Sequence, residues 1–201
     1  MRRLFVLIDW WKDCVAREKF KFPNTVSDVE QNIKKLMNKV SQSKTSDWYV
    51  PHSSHFVGEE YRKHSLSYEP QAEHYDEIYV FGMSLGACVL LNPFGYCYWP
   101  QEKRFIIKDC SIQESFGRKG VIKTINDYDE YLKEHEWDID EAEQKHNEVV
   151  ERDIKNYSIH GARFVHEQQF TEAPHRFQFE LDSLYEPVKF RELDDIFSIF
   201  R

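Results

Sequence analysis

Tyr75–Glu114 reads YDEIYVFGMSLGACVLLNPFGYCYWPQEKRFIIKDCSIQE, and the fold turns on how this stretch is parsed. An apolar run from Ile78 to Phe81 ends at Gly82, and six residues further on comes Cys88, followed by a second apolar run. A third run, Phe105 to Ile107, leads into Asp109. Short apolar runs punctuated by glycine and proline predict a strand, a tight turn, a helix and another strand. The thiol then falls where the turn becomes the helix. Backbone N–H groups and the positive end of a helix dipole favour thiolate over thiol at such a point. The same N–H groups suit an oxyanion.

Working outward, Arg3–Ile8 is a mainly apolar run that predicts a buried first strand with Asp9 at its C-terminal end. In open α/β sheets that edge is where ligands bind. A carboxylate there also serves to cap the next turn, and the residues alone leave both readings open. Trp10 and Trp11 read as core ahead of pocket wall. Between Asn24 and Val40, the residues Val26, Val29, Ile33, Leu36, Met37 and Val40 share one helical face. Ser27-x-x-Glu30 looks like a capping box for that helix. Trp48–Val50 predicts a short second strand that runs into Pro51-His52-Ser53-Ser54-His55.

Phe56 to His74 has no clear helical period, and its Arg62-Lys63-His64 cluster reads as a solvated face. The helix that opens near Ala87 is expected to end or kink at Pro93 and Gly95. Lys103–Lys108 is the next expected strand, with Asp109 at its end and Ser111–Ser115 in the following loop. From Asn126 the chain turns acidic and predicts one long or two broken helices. Ile139, Ala142, His146, Val149 and Val150 form most of the stripe on the inner side. Ile159–His166 is a candidate final strand. The ending, Leu193 to Arg201, is amphipathic and must dock. Its own domain or a sister subunit is favoured over a foreign partner.

The 201 residues, 41% hydrophobic and 15% aromatic, suit one domain with a substantial core. A formal net charge of -8 argues against a protein that coats nucleic-acid phosphates. No apolar run approaches the roughly 20 residues of a membrane span. The run after Met-Arg-Arg is too short for a signal peptide's apolar core. A cytoplasmic location is the default expectation. Cys14, Cys88, Cys97 and Cys110 show no paired metal spacing, and free thiols are expected rather than disulfides.

Gly82-Met83-Ser84-Leu85-Gly86-Ala87-Cys88-Val89 resembles the nucleophile turn of the isochorismatase-like cysteine hydrolases, which include nicotinamidases. Pro93-Phe94-Gly95-Tyr96, Ile106-Ile107-Lys108-Asp109-Cys110 and Leu4-Phe5-Val6-Leu7-Ile8-Asp9 are similar to further segments of that superfamily. The resemblance implies an α/β fold, a three-layer sandwich with a mostly parallel sheet of Rossmann-like topology flanked by helices. It places that domain over residues 1–171, leaving 172–201 as a C-terminal extension.

For the site, the resemblance implies Cys88 as nucleophile, Asp9 as general acid/base and, as the family's cation, Lys63, the only lysine between the second strand and Cys88. The segment that normally carries that lysine is shortened here. Backbone N–H groups of Ser84 and Cys88 would form the oxyanion hole, shaped by a cis peptide near Met83–Ser84. Trp10, His52 and Met83 would line the substrate pocket. The expected activity is hydrolysis of a small amide or related C–N substrate, with no cofactor and with homo-oligomers as the expected assembly.

Many nicotinamidases hold a metal after the second strand. His52 and His55 match that feature only loosely, so a divalent metal there is the lesser reading beside solvent-facing or capping histidines. A rival reading from another class is an inactive hydrolase fold that serves as a binding or assembly module. A nuclease using Asp9 and Asp109 on a metal is weaker, because no dense acidic cluster adjoins them.

Overall fold

The computed structural model describes residues 1–51, 57–113, 125–162 and 184–200. The element order is β1 (Arg3–Ile8), α1 (Lys12–Lys21), α2 (Pro23–Gln42), β2 (Ser46–Tyr49), α3 (Glu59–Arg62), β3 (Glu77–Met83), α4 (Cys88–Leu91), β4 (Arg104–Ile112), α5 (Ile125–His135), α6 (Ile139–His160), β5 (Phe190–Arg191) and α7 (Leu193–Ser198). The five strands form one parallel sheet in the order β2-β1-β3-β4-β5, covered by helices. This is an α/β three-layer sandwich.

Alternation along the central strands builds the two faces. Phe5, Leu7, Tyr79, Phe81 and Met83 point to one side and pack with Val26, Ile33, Leu36 and Val40 of α2. Leu4, Val6, Ile8, Ile78 and Val80 point to the other and pack with Val89, Leu90 and Leu91 of α4 and with Tyr157 of α6. Strands buried on both faces read as near-continuous apolar runs, which is why β1 was legible to the residue.

The chain leaves β1 toward the α2 face and leaves β3 toward the α4 face. Since β1 and β3 are neighbours, the strand order reverses between them. At such a switch point the two departing connections diverge and open a crevice at the C-terminal ends of the strands.

Several expectations are corrected. α2 begins at Pro23, a turn ahead of Ser27-x-x-Glu30. Its N-terminus is met instead by the Glu143 carboxylate, which accepts from the Thr25 backbone N–H and from Asn24 Nδ2. Glu30 serves Lys19 and Lys34, and a capping box does occur at Asp138 and Glu141, opening α6. β4 does not stop at Lys108: its register against β3 jumps from Val80↔Ile106 to Gly82↔Ser111, so it bulges and continues to Ile112. Ile159 and His160 belong to α6, followed by a turn at Gly161. The rest of the expected strand, 163–166, lies outside the described residues, as do Glu114 and Ser115 of the expected loop, whose Ser111 and Ile112 belong to β4.

The end of the chain docks on this domain. Phe190–Arg191 pairs in parallel with Ile106–Ile107, and Leu193 and Ile196 are buried on the α2 face. Phe200 stacks on Phe5 at 5.8 Å. Arg104, 1% exposed, holds the approach to β5: it donates to the Cys97 and Trp99 carbonyls and pairs with Glu186 at 2.9 Å. Among the described residues, no helix is long and apolar enough to cross a membrane.

Candidate active site

Gly82 makes the switch point possible. It lies in register with Ile8, at φ +129°, and a Cβ there would stand 2.1 Å from the Ile8 carbonyl oxygen. Only glycine lets the ends of β1 and β3 approach so closely in that conformation. The residues immediately beyond are Asp9 on one strand and the turn Ser84–Ala87, ending in Cys88, on the other.

Asp9 is half-buried and left-handed, at φ 44°, a region that aspartate enters more readily than most side chains. Its carbonyl accepts from Trp11 N–H at 2.7 Å, turning the chain from β1 toward α1. Its Oδ2 accepts from Asn92 Nδ2 at 2.5 Å. Asn92 follows Cys88 by one helical turn, and its N–H donates to the Cys88 carbonyl at 3.1 Å. Residues four apart on a helix share a face. The carboxylate that closes β1 is therefore tied to the face of α4 that begins with the thiol.

Within the turn, Leu85 N–H donates to Ile112 O at 2.7 Å and Gly86 N–H to Gln113 Oε1 at 2.6 Å. Ala87 and Val89 N–H groups both donate to Ser84 O, at 3.1 and 3.0 Å. None of these four can serve an oxyanion without giving up its partner. The peptide bond between Met83 and Ser84 is cis. Gly86 is also closely roofed by α6, since a Cβ there would meet Gln113 Oε1 and the Tyr157 hydroxyl, each at 2.8 Å. The helix at the thiol is shorter than expected, four residues from Cys88 to Leu91. A single turn carries little of the macrodipole that a longer helix would present to the thiol.

None of the four cysteines is in a disulfide, and they fall in two classes. Cys14 and Cys88 are half-buried, whereas Cys97 and Cys110 are buried. Burial pushes the Cys97 thiol up to about 11 and the Cys110 thiol higher still. Desolvation of this kind disfavours the thiolate and leaves an inert side chain.

Other expected site residues sit elsewhere. Ser84 is buried. Trp10 and Met83, each 3% exposed, belong to the apolar cluster on the α2 face, with Val57 and Tyr61. Lys63 is exposed and caps the C-terminus of α3. Two residues later Ser65 makes a parallel bridge to Trp48, so this segment runs outboard of β2 and the structure does not bring Lys63 to the thiol. Asp109 is half-buried, and its Oδ2 accepts from the Leu193 N–H at 2.8 Å, capping α7. His52 and His55 lie outside the described residues. Among the described residues, no group of three or more His, Cys, Asp or Glu is placed to hold a metal. An open groove of about 780 Å³ lies away from this rim, between α2 and α6, with Asp28, Asp140, Glu148 and Glu151 along it.

Asn92 and Gln113 were missed by sequence reasoning. The four-residue spacing from Cys88 is a signal that could have found Asn92 only with the helix already placed, and nothing local marks Gln113. Compared with protein-family models, with curated proteins and with solved structures, the chain finds no match. The class to which it belongs is the one its own fold defines: a parallel α/β sandwich with a carboxylate and a thiol flanking the switch point.

Proposed function

We propose that the chain is an isochorismatase-like hydrolase that cleaves a small amide or related C–N bond, with Cys88 as nucleophile and Asp9 as general acid/base. The observation that carries this reading is the Asn92–Asp9 hydrogen bond, which ties the carboxylate ending β1 to the helix that starts at Cys88. In the first half-reaction Asp9 takes the thiol proton as sulfur adds to the substrate carbonyl. The oxyanion is held by the N–H groups of Ser84 and Cys88. As the C–N bond breaks, Asp9 returns the proton to the leaving amine, and a thioester remains on Cys88. Water, deprotonated by Asp9, then adds to the thioester carbonyl. Its collapse releases the carboxylic acid and the thiol.

The expected substrates are nicotinamide-like amides and carbamoyl compounds. Replacement Cys88→Ala is expected to abolish turnover of such amides while the circular dichroism spectrum is unchanged. Hydrolysis that survives in this variant overturns the reading.

A second reading, an inactive hydrolase fold serving as a binding or assembly module, is favoured by Lys63. That lysine is exposed beyond the outer edge of β2, where it gives no cation to the thiol. Wild-type protein that turns over no amide in the same assay decides for it.

A further inference from the structure

We propose that Asn92 is a positioning residue for Asp9, holding its carboxylate against the helix that begins with the Cys88 thiol. The inference deepens the hydrolase reading and rests on it for the pairing of Asp9 with Cys88.

Asp9 and Asn92 are 83 positions apart in the chain, and the Nδ2–Oδ2 bond joins two elements that leave the sheet toward opposite faces. The carboxylate stands just past a strand end, in a left-handed turn. The amide holds it from a short helix, itself anchored by Asn92 N–H on Cys88 O and Gly95 N–H on Asn92 O. The residue type also suits the task. Asn92 offers an N–H to the ionised carboxylate without adding a charge. A lysine or arginine here would add a full charge that holds Asp9 ionised and weakens it as a base. Leucine keeps the shape and loses the donor. Serine keeps a donor with less reach.

Two measurements on the full chain test this. The first follows the Asp9 carboxyl carbon by ¹³C NMR across pH in the wild type, Asn92→Leu and Asn92→Ser. Losing a hydrogen bond to a charged group is expected to move the Asp9 inflection up by about one pH unit in Asn92→Leu, and by less in Asn92→Ser. Both backbone bonds of residue 92 persist in these variants, so α4 is retained. The second is the pH profile of Cys88 alkylation by iodoacetamide, mapped by peptide mass spectrometry to separate it from Cys14. Its acidic limb is expected to shift with the NMR inflection in Asn92→Leu and to disappear in Asp9→Asn.

An Asp9 inflection that stays in place in both Asn92 variants overturns the inference. An alkylation profile identical in wild type and Asp9→Asn removes Asp9 from the thiol's chemistry, and it overturns the hydrolase reading whatever Asn92 does. A merely structural role for Asn92 changes stability and leaves both profiles where they were.

Discussion

Asp9, just beyond the end of β1, and Asp109, within β4, both mark central strands of one parallel sheet, and from the sequence either is a candidate for chemistry. Their surroundings separate them. Asp109 sits in the bulged part of β4, where its Oδ2 takes the first N–H of α7 and its backbone carbonyl accepts from Asn32. Asp9 stands at the switch point, where its Oδ2 meets a side-chain amide one turn beyond a half-buried thiol. One carboxylate is absorbed into the docking of the C-terminal segment, and the other is tied to the connection that leaves β3. A position on a strand is thus a weak indicator. What the next element offers to the carboxylate decides its use.

The largest expected break in this comparison comes from Asp9→Asn. Asparagine keeps the shape, tolerates the left-handed turn and still offers an oxygen to Asn92, so exchanging a charged for a neutral acceptor is expected to cost about 1 kcal/mol and leave the fold intact. Loss of a general acid/base is expected to lower amide turnover about a hundredfold or more. The check is turnover at saturating amide beside a urea unfolding curve. Equal turnover in the variant removes Asp9 from the mechanism.

The converse is expected for Asp109→Ala. Removing a cap costs a helix about 1 kcal/mol, so the urea midpoint falls and the amides of α7 lose protection from hydrogen exchange. Lys108, whose amine is held above its usual range by its hydrogen bond to Glu192, keeps a second tie to the same segment. Turnover is expected to stay at the wild-type level. A loss of turnover matching that of Asp9→Asn would show that the two carboxylates do not differ as their contacts indicate.

The first strand and the helices were legible because they rest on local periodicity, whereas the parallel sheet between two layers of helices was implied only by the resemblance. Arg3–Ile8, the buried face of α2 and the two-helix acidic region could all be read by counting. What escaped depended on distant partners. α1 buries Glu18 and Lys21 as a pair at 3.1 Å, an arrangement that exists only once α1 is packed against α2 and α5. Ser27 looked like a cap because the true one, Glu143, arrives from a helix more than a hundred residues later. β5 is two residues long and exists only because β4 offers an edge. The site divides in the same way. Gly82, Cys88 and Asp9 carry local signals, whereas Asn92 and Gln113 gain their roles only when the strands are brought side by side.

Gln113 also joins the two regions being compared, and it suggests the finest test. It follows β4 directly, its side chain holds Gly86 of the thiol turn, and its backbone hydrogen-bonds His146 of α6. The His146 ring stacks on Phe22 at 4.0 Å. Burial holds this imidazole below its ordinary value, and Lys21 adds to that. Glu18, the Gln113 backbone and Glu143 oppose it without reversing the direction. The fold therefore favours neutral His146. Below the ordinary imidazole range, around pH 6.5, the unfolded chain takes up the proton before the folded one. The stabilising contribution is complete above that range and is lost as pH falls through it. His146→Phe keeps an aromatic ring on Phe22 and cannot titrate. Between pH 7.5 and 5.5, values chosen as about one unit either side of that range, the wild-type urea midpoint is expected to fall more steeply than that of the variant. Because α6 roofs Gly86 through Tyr157, the same slope is expected in the hydrogen-exchange rates of the thiol turn. The amides of α7, anchored on Asp109, are expected to show no such dependence. Parallel slopes in wild type and variant would break the link between α6 and the rim, while a slope shared with α7 would mean that the two regions open together.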